Sequence, residues 1–192
     1  ADNGIGTIVF SSSCTVYGQP EKLPVSEDAP VQQAMSPYGN TKQISEEIIS
    51  DTSTSSGLKA ILLRYFNPIG AHESAKIGEL PLGVPNNLVP FITQTAIGIR
   101  EQLKVFGGDY PTPDGTAIRD YIHVEDLVDA HITVMEALQR GDQRAYNLGI
   151  GEGKSVKQLL EAARRVTGRS IPAEVGPRRP GDPPVLYADA RK

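Results

Sequence analysis

Apolar residues recur along the chain in short runs whose spacing alternates between strand and helix periods. Residues 7–13 (TIVFSSS) and 58–66 (LKAILLRYF) are compact β-rich runs, each followed by turn-forming residues. Between them, Ser36 precedes Pro37 as a helix cap would, and a helical spacing follows, which predicts a helix over residues 37–54. Three isoleucines form one stripe of that helix: Ile44, Ile48 and Ile49. Strand, helix and strand in this order predict a parallel crossover and an α/β fold.

The pattern changes after Asn67. Residues 68–87 are rich in Gly, Pro and Asn, which predicts an irregular loop before an apolar helix at about 88–101. The segment LKVFGGDYPTPDGTAIRDYIHV predicts two strands joined by a long turn. Helical spacing over 124–140, a strand at AYNLGI, and a helix between the cap Ser155 and the stop Gly168 complete the prediction.

Composition narrows the classes of protein that fit. A net charge of −4 without any basic run argues against nucleic acid as a partner, because phosphate binding needs clustered Lys and Arg. No stretch approaches the roughly 20 apolar residues of a membrane span. The lone Cys14 forbids an internal disulfide, and a hydrophobic fraction of 39% suffices for a core. These features favour a globular cytoplasmic protein with no membrane partner.

One pair of residues suggests chemistry. Tyr38 and Lys42 are four apart, so on a helix they lie one above the other on the same face. An ammonium beside a phenol stabilises the phenolate, which is how a tyrosine can act as a general base. The alternative is that Tyr38 packs and Lys42 is solvated, and the spacing alone leaves both interpretations open.

Two further patterns suggest binding sites but fit them poorly. The run GIGEGKS lies between a strand and a helix, yet Leu148 and Lys154 occupy positions where a P-loop and a dinucleotide fingerprint need glycine. It is therefore interpreted as a helix-entry turn. The histidines His72, His123 and His131 lack metal-ligand spacing, so no metal site is predicted, and His123 is expected to be a hydrogen-bonded core residue.

Several segments together, in order and spacing, resemble the UDP-glucose 4-epimerases of the extended short-chain dehydrogenase/reductase superfamily. The segments are SSSCTVYG, SPYGNTK, LLRYFNPIGAH, PNNLVPFI, RDYIHVEDLVDAH, YNLGIGEGKSV and RRPGDPP. The resemblance runs from about Thr7 to the end of the chain. It implies NAD as cofactor, a UDP-sugar as substrate, a homodimer in the full-length protein, and interconversion of UDP-galactose and UDP-glucose through a 4-keto intermediate.

The resemblance also implies roles for individual residues. Ser13 matches the catalytic serine that hydrogen-bonds the sugar 4-hydroxyl, and Tyr38 matches the catalytic base. Lys42 matches the lysine that stabilises the phenolate and holds the nicotinamide ribose, while Phe66 matches a residue that lines the nicotinamide pocket. These four residues are the expected cofactor contacts. The positions matching those around the UDP-sugar are Asn67, Asn87, Leu88, Phe106, Arg119, Arg179, Asp182 and Leu186.

Ordinary alternatives stand beside several of these roles. Arg119 without the resemblance would be interpreted as a surface ion-pair partner of Asp120 or Glu125. Phe66 and Phe106 would be interpreted as core residues. Leu186 matches a position that sets pocket size, and a leucine is intermediate there, so acceptance of N-acetylated sugars stays open.

The implied architecture is the later part of a doubly wound, Rossmann-type parallel sheet plus a smaller α/β substrate-binding domain. Residues 1–67 are assigned to the first, and 68–192 mainly to the second, with about 116–150 returning to the Rossmann sheet. The Gly-rich start of an NAD site is absent from the sequence, so the chain is expected to be truncated, to bind NAD weakly and to be inactive alone. Uncovered strand edges and apolar helix faces are also expected.

Competing functions remain within and outside enzymes. In the related dehydratases an Asp-Glu pair follows the catalytic Ser or Thr, whereas Cys14 and Thr15 stand here, which favours plain epimerisation. Another UDP-sugar 4-epimerase, acting on UDP-N-acetylglucosamine or a UDP-pentose, is an alternative. A non-catalytic sugar-nucleotide sensor is the alternative from another class, and retention of Ser13, Tyr38 and Lys42 argues against it.

Overall fold

A computed structural model describes residues 4–140 and 144–192 of the chain. It contains nine strands, four α-helices and a 3₁₀ turn at Cys14–Tyr17 within those ranges. The strands are β1 (Thr7–Ser13), β2 (Lys59–Tyr65), β3 (Asn67–Ile69), β4 (Leu103–Phe106), β5 (Ile118–His123), β6 (Ala145–Leu148), β7 (Gly153–Ser155), β8 (Ala173–Gly176) and β9 (Val185–Leu186). The helices are α1 (Pro37–Ser56), α2 (Leu88–Ala96), α3 (Val124–Gln139) and α4 (Val156–Thr167).

The first sheet is parallel and has the order β1–β2–β6. Helix α1 connects β1 to β2, so the predicted strand, helix and strand unit is confirmed with parallel pairing from Thr7 opposite Lys59 to Ser13 opposite Tyr65. Because the strands are parallel, their carboxyl ends lie at one edge of the sheet. Ser13 and Phe66 both lie at that edge.

Helices cover both faces of this sheet. Successive side chains of a strand point to opposite faces, so Ile61 and Leu63 of β2 face one way and Arg64 faces the other. Ile61 and Leu63 form a buried apolar cluster with Val134 and Leu138 of α3. Arg64 contacts α1 instead, through Glu46.

Shorter strands build the remainder of the molecule. Strand β5 pairs with β3 and β9 in parallel and with β7 in antiparallel, and β4 pairs with β8 in a separate two-stranded sheet. Helices α2 and α4 pack on the β4–β8 side through a cluster that includes Ile92, Val105, Leu160 and Ile171. Strand β6 joins the first sheet, whereas β5, which ends at His123, 22 positions before β6 begins at Ala145, joins the second.

Asp120 of β5 connects three segments of chain. Its fully buried carboxylate accepts hydrogen bonds from the backbone N–H groups of Ile150 (2.8 Å), Gly151 (3.0 Å) and Ala188 (3.1 Å). Glycine is required at position 149, because a Cβ there would stand 2.5 Å from Asp120 Oδ2. The GIGEGKS run is thus bound to a carboxylate rather than shaped to hold a phosphate.

That run leads into α4 as predicted. Ser155 caps the helix by accepting from the N–H of Gln158, and the Gln158 side chain accepts from the N–H of Ser155 in return. Gly168 ends the helix in the left-handed conformation, with φ of 64°. The helix-entry interpretation is therefore confirmed.

Three details differ from the sequence predictions. Helix α2 ends at Ala96 rather than near residue 101, because the chain turns at Ile97 and Gly98. Two of the three isoleucines in the predicted stripe of α1 face solvent, since Ile44 is 46% and Ile48 60% exposed, and Ile49 is half-buried. The prediction that His123 is a core residue is wrong. Its side chain caps α3 by accepting from the N–H of Glu125 and is 42% exposed.

Candidate active site

Tyr38 and Lys42 occupy the first two turns of α1. Ser36 caps the helix by accepting from the N–H of Gly39 at 3.1 Å, and Pro37 is the first helical residue, which fixes where the helix begins. The Lys42 Nζ atom lies 5.6 Å from the centroid of the Tyr38 ring. The structure thus brings the ammonium and the phenol ring together, and Tyr38 is 55% exposed.

The same ammonium binds β1. Lys42 Nζ donates to the backbone oxygen of Ser11 at 2.7 Å and lies 5.0 Å from the centroid of the Phe10 ring. The start of α1 is therefore held against the carboxyl-terminal half of β1. Since an ammonium has three N–H donors, two remain for other acceptors.

Ser13 ends β1 next to this contact. It is buried, and its hydroxyl oxygen accepts from the backbone N–H of Thr15 at 3.2 Å and from the Thr15 hydroxyl at 3.0 Å. These bonds cap the 3₁₀ turn that follows the strand. The Ser13 side chain therefore has a fixed position at the carboxyl edge of the sheet, where α1 begins.

Cys14 follows Ser13 and is a buried, free thiol. Burial raises the pKa of its thiol to about 12, although the charge of Arg119 acts in the opposite direction. The thiol stays protonated at neutral pH, so it cannot act as the base that a dehydratase would need at this position. Cys14 packs with Phe66 and Leu186 in one buried cluster.

Phe66 and Leu186 are both interior residues. Phe66 is 5% and Leu186 4% exposed, so packing accounts for both side chains. Leu186 is also the register partner of Arg119 across β9 and β5. The cluster therefore lies between the Ser13 end of the first sheet and the arginine of the second.

A charged group lies on the other side of this cluster. The Arg119 guanidinium donates to Asp182 at 2.6 Å, so its ion-pair partner is Asp182 rather than Asp120 or Glu125. Arg179 is exposed, and its guanidinium carbon lies 4.6 Å from the centroid of the Phe106 ring. Two arginines, a carboxylate and an aromatic ring that is 37% exposed suit a nucleotide with a diphosphate.

The remaining predicted contacts are more dispersed. The Asn67 amide donates to the backbone oxygen of Asp120 at 2.8 Å, which fixes its side chain between β3 and β5. Asn87 precedes α2, is exposed, and donates to Glu79 at 3.0 Å. Leu88, the first residue of α2, packs against the cluster between α2 and α4.

Sequence reasoning missed the residues that hold α1 in place. Glu46 of α1 is 7% exposed and binds Arg64 of β2 through two hydrogen bonds, from Nε at 3.0 Å and from Nη2 at 2.7 Å. The Ser12 hydroxyl also donates to Glu46. Burial by itself lowers the pKa of Arg64, but hydrogen bonds to Glu46 and Tyr17 raise it above the ordinary value, so the guanidinium stays charged.

A signal for Glu46 was present in the sequence. It follows Lys42 by four residues, as Lys42 follows Tyr38, so all three share one face of the helix. The isoleucine stripe instead predicted that α1 buries an apolar face. The burial of Glu46 was missed because a carboxylate is rarely buried without a partner, and its partner Arg64 is 18 residues away in sequence.

Comparison with known proteins identifies similar sequences. The profile of the NAD dependent epimerase/dehydratase family matches residues 1–149. A UDP-glucose 4-epimerase of Neisseria meningitidis is 52% identical over 97% of this chain, and one of Bacillus subtilis 50% identical over 98%. A bifunctional UDP-glucose 4-epimerase and UDP-xylose 4-epimerase of Pisum sativum is 52% identical over 96%. The chain spans about half the length of these curated relatives, 54% to 56%.

Solved structures show the same fold. A UDP-glucose 4-epimerase of Stenotrophomonas maltophila with bound NAD and formylated UDP-arabinopyranose superposes with a TM-score of 0.94 at 48% identity. The superposition covers 98% of this chain and 56% of the Stenotrophomonas chain. The epimerase of Bifidobacterium longum in complex with NAD+ and UDP gives 0.95 at 44% identity, covering 100% of this chain and 57% of its own. The expected α/β, Rossmann-type class is therefore confirmed.

Within 4–140 and 144–192, no helix combines the length and the apolar composition needed to cross a bilayer. Across the same ranges, no group of three or more His, Cys, Asp and Glu side chains is arranged to hold a metal ion.

Proposed function

The chain belongs to the NAD dependent epimerase/dehydratase family, and from this premise we propose that it carries the catalytic part of a UDP-glucose 4-epimerase. The reaction is the NAD-dependent interconversion of UDP-galactose and UDP-glucose. The observation that carries the proposal is the pairing of Tyr38 and Lys42 on α1 beside the Ser13 end of β1. A sensor of sugar nucleotides has no need of a base, and this arrangement supplies one.

The residues present fit the nicotinamide end of NAD. Lys42 retains two N–H donors for ribose hydroxyls, Tyr38 is the second residue of α1, and Ser13 is the last residue of β1. These are the groups that would hold the nicotinamide ribose. When bound there, NAD supplies the oxidising and reducing equivalent at the sugar C4, and the protein supplies a base and orientation.

Tyr38 is the base in this proposal. Its phenolate accepts the proton of the sugar 4-hydroxyl and later returns it, while Lys42 stabilises the phenolate through its positive charge. Ser13 orients the 4-hydroxyl by a hydrogen bond. The 4-keto sugar turns in the pocket between these two steps, so C4 has the inverted configuration when the proton returns to the same oxygen.

Arg119, Arg179 and Asp182 hold the nucleotide. Guanidinium groups bind diphosphate oxygens with paired donors, and the Arg119–Asp182 ion pair fixes one of them in advance. The carboxylate of Asp182 keeps acceptor capacity for ribose hydroxyls. Phe106 offers an aromatic surface for the uracil base of the nucleotide. Asn67, Asn87, Leu88 and Leu186 remain proposed contacts of the UDP-sugar.

The test is turnover of UDP-galactose by the protein expressed at the length of the curated relatives. Tyr38→Phe should lower kcat by about 10²–10⁴-fold, the usual contribution of a general base. The matched control is Tyr146→Phe, which removes a phenol hydroxyl from a strand residue outside the proposed site. Turnover of Tyr38→Phe within a few-fold of wild type would refute the assignment of the base.

Competition with UDP-N-acetylglucosamine and UDP-xylose in the same assay measures substrate breadth. Epimerisation of either sugar at the rate of UDP-galactose would broaden the proposed substrate class. Binding of a UDP-sugar without any keto sugar or reduced cofactor would favour the sensor.

A homodimer is part of the proposal. The exposed Ile44 and Ile48 on α1 offer an apolar stripe that a second copy could cover. Sedimentation of the protein and of an Ile44→Asp/Ile48→Asp variant tests this: the wild type should be dimeric and the variant monomeric. A cytoplasmic location is likewise proposed, supported by the free buried thiol of Cys14, and fractionation of the native source tests it.

A further inference from the structure

The face of α1 that carries Tyr38 also carries the contacts that dock the helix. Tyr38, Lys42 and Glu46 are spaced by four residues and therefore lie in one row along the helix. Gly39 and Glu46 are the buried residues of α1, all of whose residues are described. The apolar residues Ile44 and Ile48 face outward, so they do not hold α1 on the sheet.

Three hydrogen bonds hold the Glu46 carboxylate. Arg64 donates to Oε1 from Nε at 3.0 Å and to Oε2 from Nη2 at 2.7 Å, and the Ser12 hydroxyl donates to Oε1. Both members of the ion pair have side chains only 9% exposed. The contact therefore joins α1 to β2 through Arg64 and to β1 through Ser12, the residue immediately before Ser13.

Arg64 is itself held by a hydrogen bond on the side away from Glu46. Its Nη1 donates to the Tyr17 hydroxyl at 3.0 Å, and that hydroxyl donates to Asn147 Oδ1 at 2.7 Å. Asn147 lies in β6, the third strand of the same sheet. The guanidinium is thus fixed in the sheet, and Glu46 is fixed to the guanidinium.

Such a contact adds little net stability but resists sliding. Replacing a buried ion pair by apolar side chains is often neutral or stabilising, whereas its hydrogen bonds are satisfied in one arrangement only. A helix docked in this way has one register along the sheet. Because misplacement of a catalytic group by about 1 Å can cost about 100-fold in rate, register matters at Tyr38.

We propose that Glu46, acting through Arg64 and Ser12, is a positioning residue that fixes α1 so that Tyr38 and Lys42 meet the Ser13 end of β1. This inference rests on the proposed function for its effect on rate. Its structural part, the docking of α1, stands on the contacts alone. Lys42 binding to Ser11 and Gln43 donating to the backbone oxygens of Val16 (2.9 Å) and Gln32 (2.6 Å) add bonds on the same face.

The test replaces the pair by apolar residues in the protein expressed at the length of the curated relatives. Glu46→Met/Arg64→Leu should keep Tm within about 3 °C of wild type or raise it, since no charge is left buried alone. It should lower kcat about 10- to 100-fold. KM for UDP-galactose should stay within about threefold, because the proposed nucleotide-binding arginines lie on other segments.

A matched control removes an ion pair from a helix without proposed site residues. Glu161→Met/Arg164→Leu on α4 makes the same exchange at an exposed pair with a distance of 3.1 Å and should leave kcat within about twofold. Equal losses of kcat in both double variants would overturn the proposal, as would a folded Glu46→Met/Arg64→Leu variant with kcat within threefold of wild type.

A second variant tests the proposal if the double variant does not fold. Ser12→Ala keeps the ion pair and removes the link to β1, and we expect kcat about 3- to 10-fold lower, with recovery in Ser12→Thr, which restores the hydroxyl. Wild-type kcat in Ser12→Ala would overturn the role of Ser12.

Amide hydrogen exchange separates this proposal from the proposed function. The amides of α1 should exchange at least about 10-fold faster in Glu46→Met/Arg64→Leu, or in Ser12→Ala if the double variant does not fold, while those of α4 stay unchanged. If wild type shows no turnover, the proposed function fails, and unchanged exchange in α1 would separately overturn its docking through Glu46.

Discussion

Helices α1 and α3 cover opposite faces of the same sheet, yet they are attached to it by different forces. Helix α3 buries Val134 and Leu138 against Ile61 and Leu63 of β2. Helix α1 buries a carboxylate against Arg64, the next residue of that strand. One strand therefore presents an apolar surface to one helix and a guanidinium to the other.

The difference corresponds to what each helix carries. Apolar contacts are non-directional, so a helix held by them can shift slightly at little cost. Hydrogen-bonded ion pairs lose their geometry when either partner shifts. Helix α1, which carries the proposed base, has the directional attachment, and helix α3 on the opposite face of the sheet has the apolar one.

The largest expected effect comes from removing half of the polar attachment. Arg64→Leu leaves the Glu46 carboxylate buried without a countercharge, and we expect unfolding free energy to fall by about 3–5 kcal/mol. Urea unfolding followed by circular dichroism measures it. The Glu46→Met/Arg64→Leu double variant is the control, since it should recover most of the loss. A loss below about 1 kcal/mol in Arg64→Leu would contradict the polar attachment of α1 to the sheet.

A smaller effect is expected from the apolar attachment. Leu138 is 3% exposed, and Leu138→Ala should lower the unfolding free energy by about 3 kcal/mol through lost burial and a cavity. Its kcat, measured well below the unfolding temperature, should stay within about twofold of wild type. A loss of kcat as large as that of the α1 variants would show that both helices position the site equally.

The smallest effect concerns Tyr17, which supports Arg64. Tyr17→Phe removes the hydrogen bonds to Arg64 and Asn147 and should cost about 1–2 kcal/mol. Burial raises the pKa of Tyr17 above its ordinary value of 10.0, because the phenolate is disfavoured there, while the charge of Arg64 acts in the opposite direction.

This pKa predicts how stability depends on alkaline pH. Above pH 10 the unfolded chain releases the Tyr17 proton while the native chain retains it, so stability falls as pH rises. The Tyr17→Phe variant should lose less stability over that range than wild type does. Some loss remains in both, because burial raises the pKa of Tyr121 to about 12. Equal slopes for the two proteins would contradict the assignment.

Local sequence signals predicted the long elements well. The apolar run at Thr7–Ser13, the Ser36–Pro37 start of α1 and the Ser155 cap of α4 each act within a few residues, so their physical cause lies in the segment itself. The short strands β3, β7, β8 and β9 were not predicted. They exist through pairing with distant segments, as β4 does with β8 some 70 residues later.

The candidate site divides in the same way. Tyr38 and Lys42 could be paired from helical spacing, and the structure brings them together. The pairing of Arg119 with Asp182 joins residues 63 apart in sequence, and the burial of Glu46 on α1 depends on a partner from strand β2. Neither leaves a local pattern, so without the family resemblance the sequence offered only Asp120 or Glu125 as ion-pair partners of Arg119, and Glu46 was overlooked.

Arg119 and Asp120 are neighbours on β5 with opposite surroundings, and this affects how loss-of-function variants at the two positions should be interpreted. Asp120 is the internal clamp on three N–H groups, so an inactive Asp120 variant signals faulty folding and should recover when the protein is produced in the cold. Arg119 forms an ion pair with Asp182 in the proposed nucleotide-binding group instead. If that proposed role holds, an inactive Arg119 variant should accumulate normally and stay inactive at every growth temperature. Adjacent codons would thus give a temperature-sensitive allele and a permanently null one.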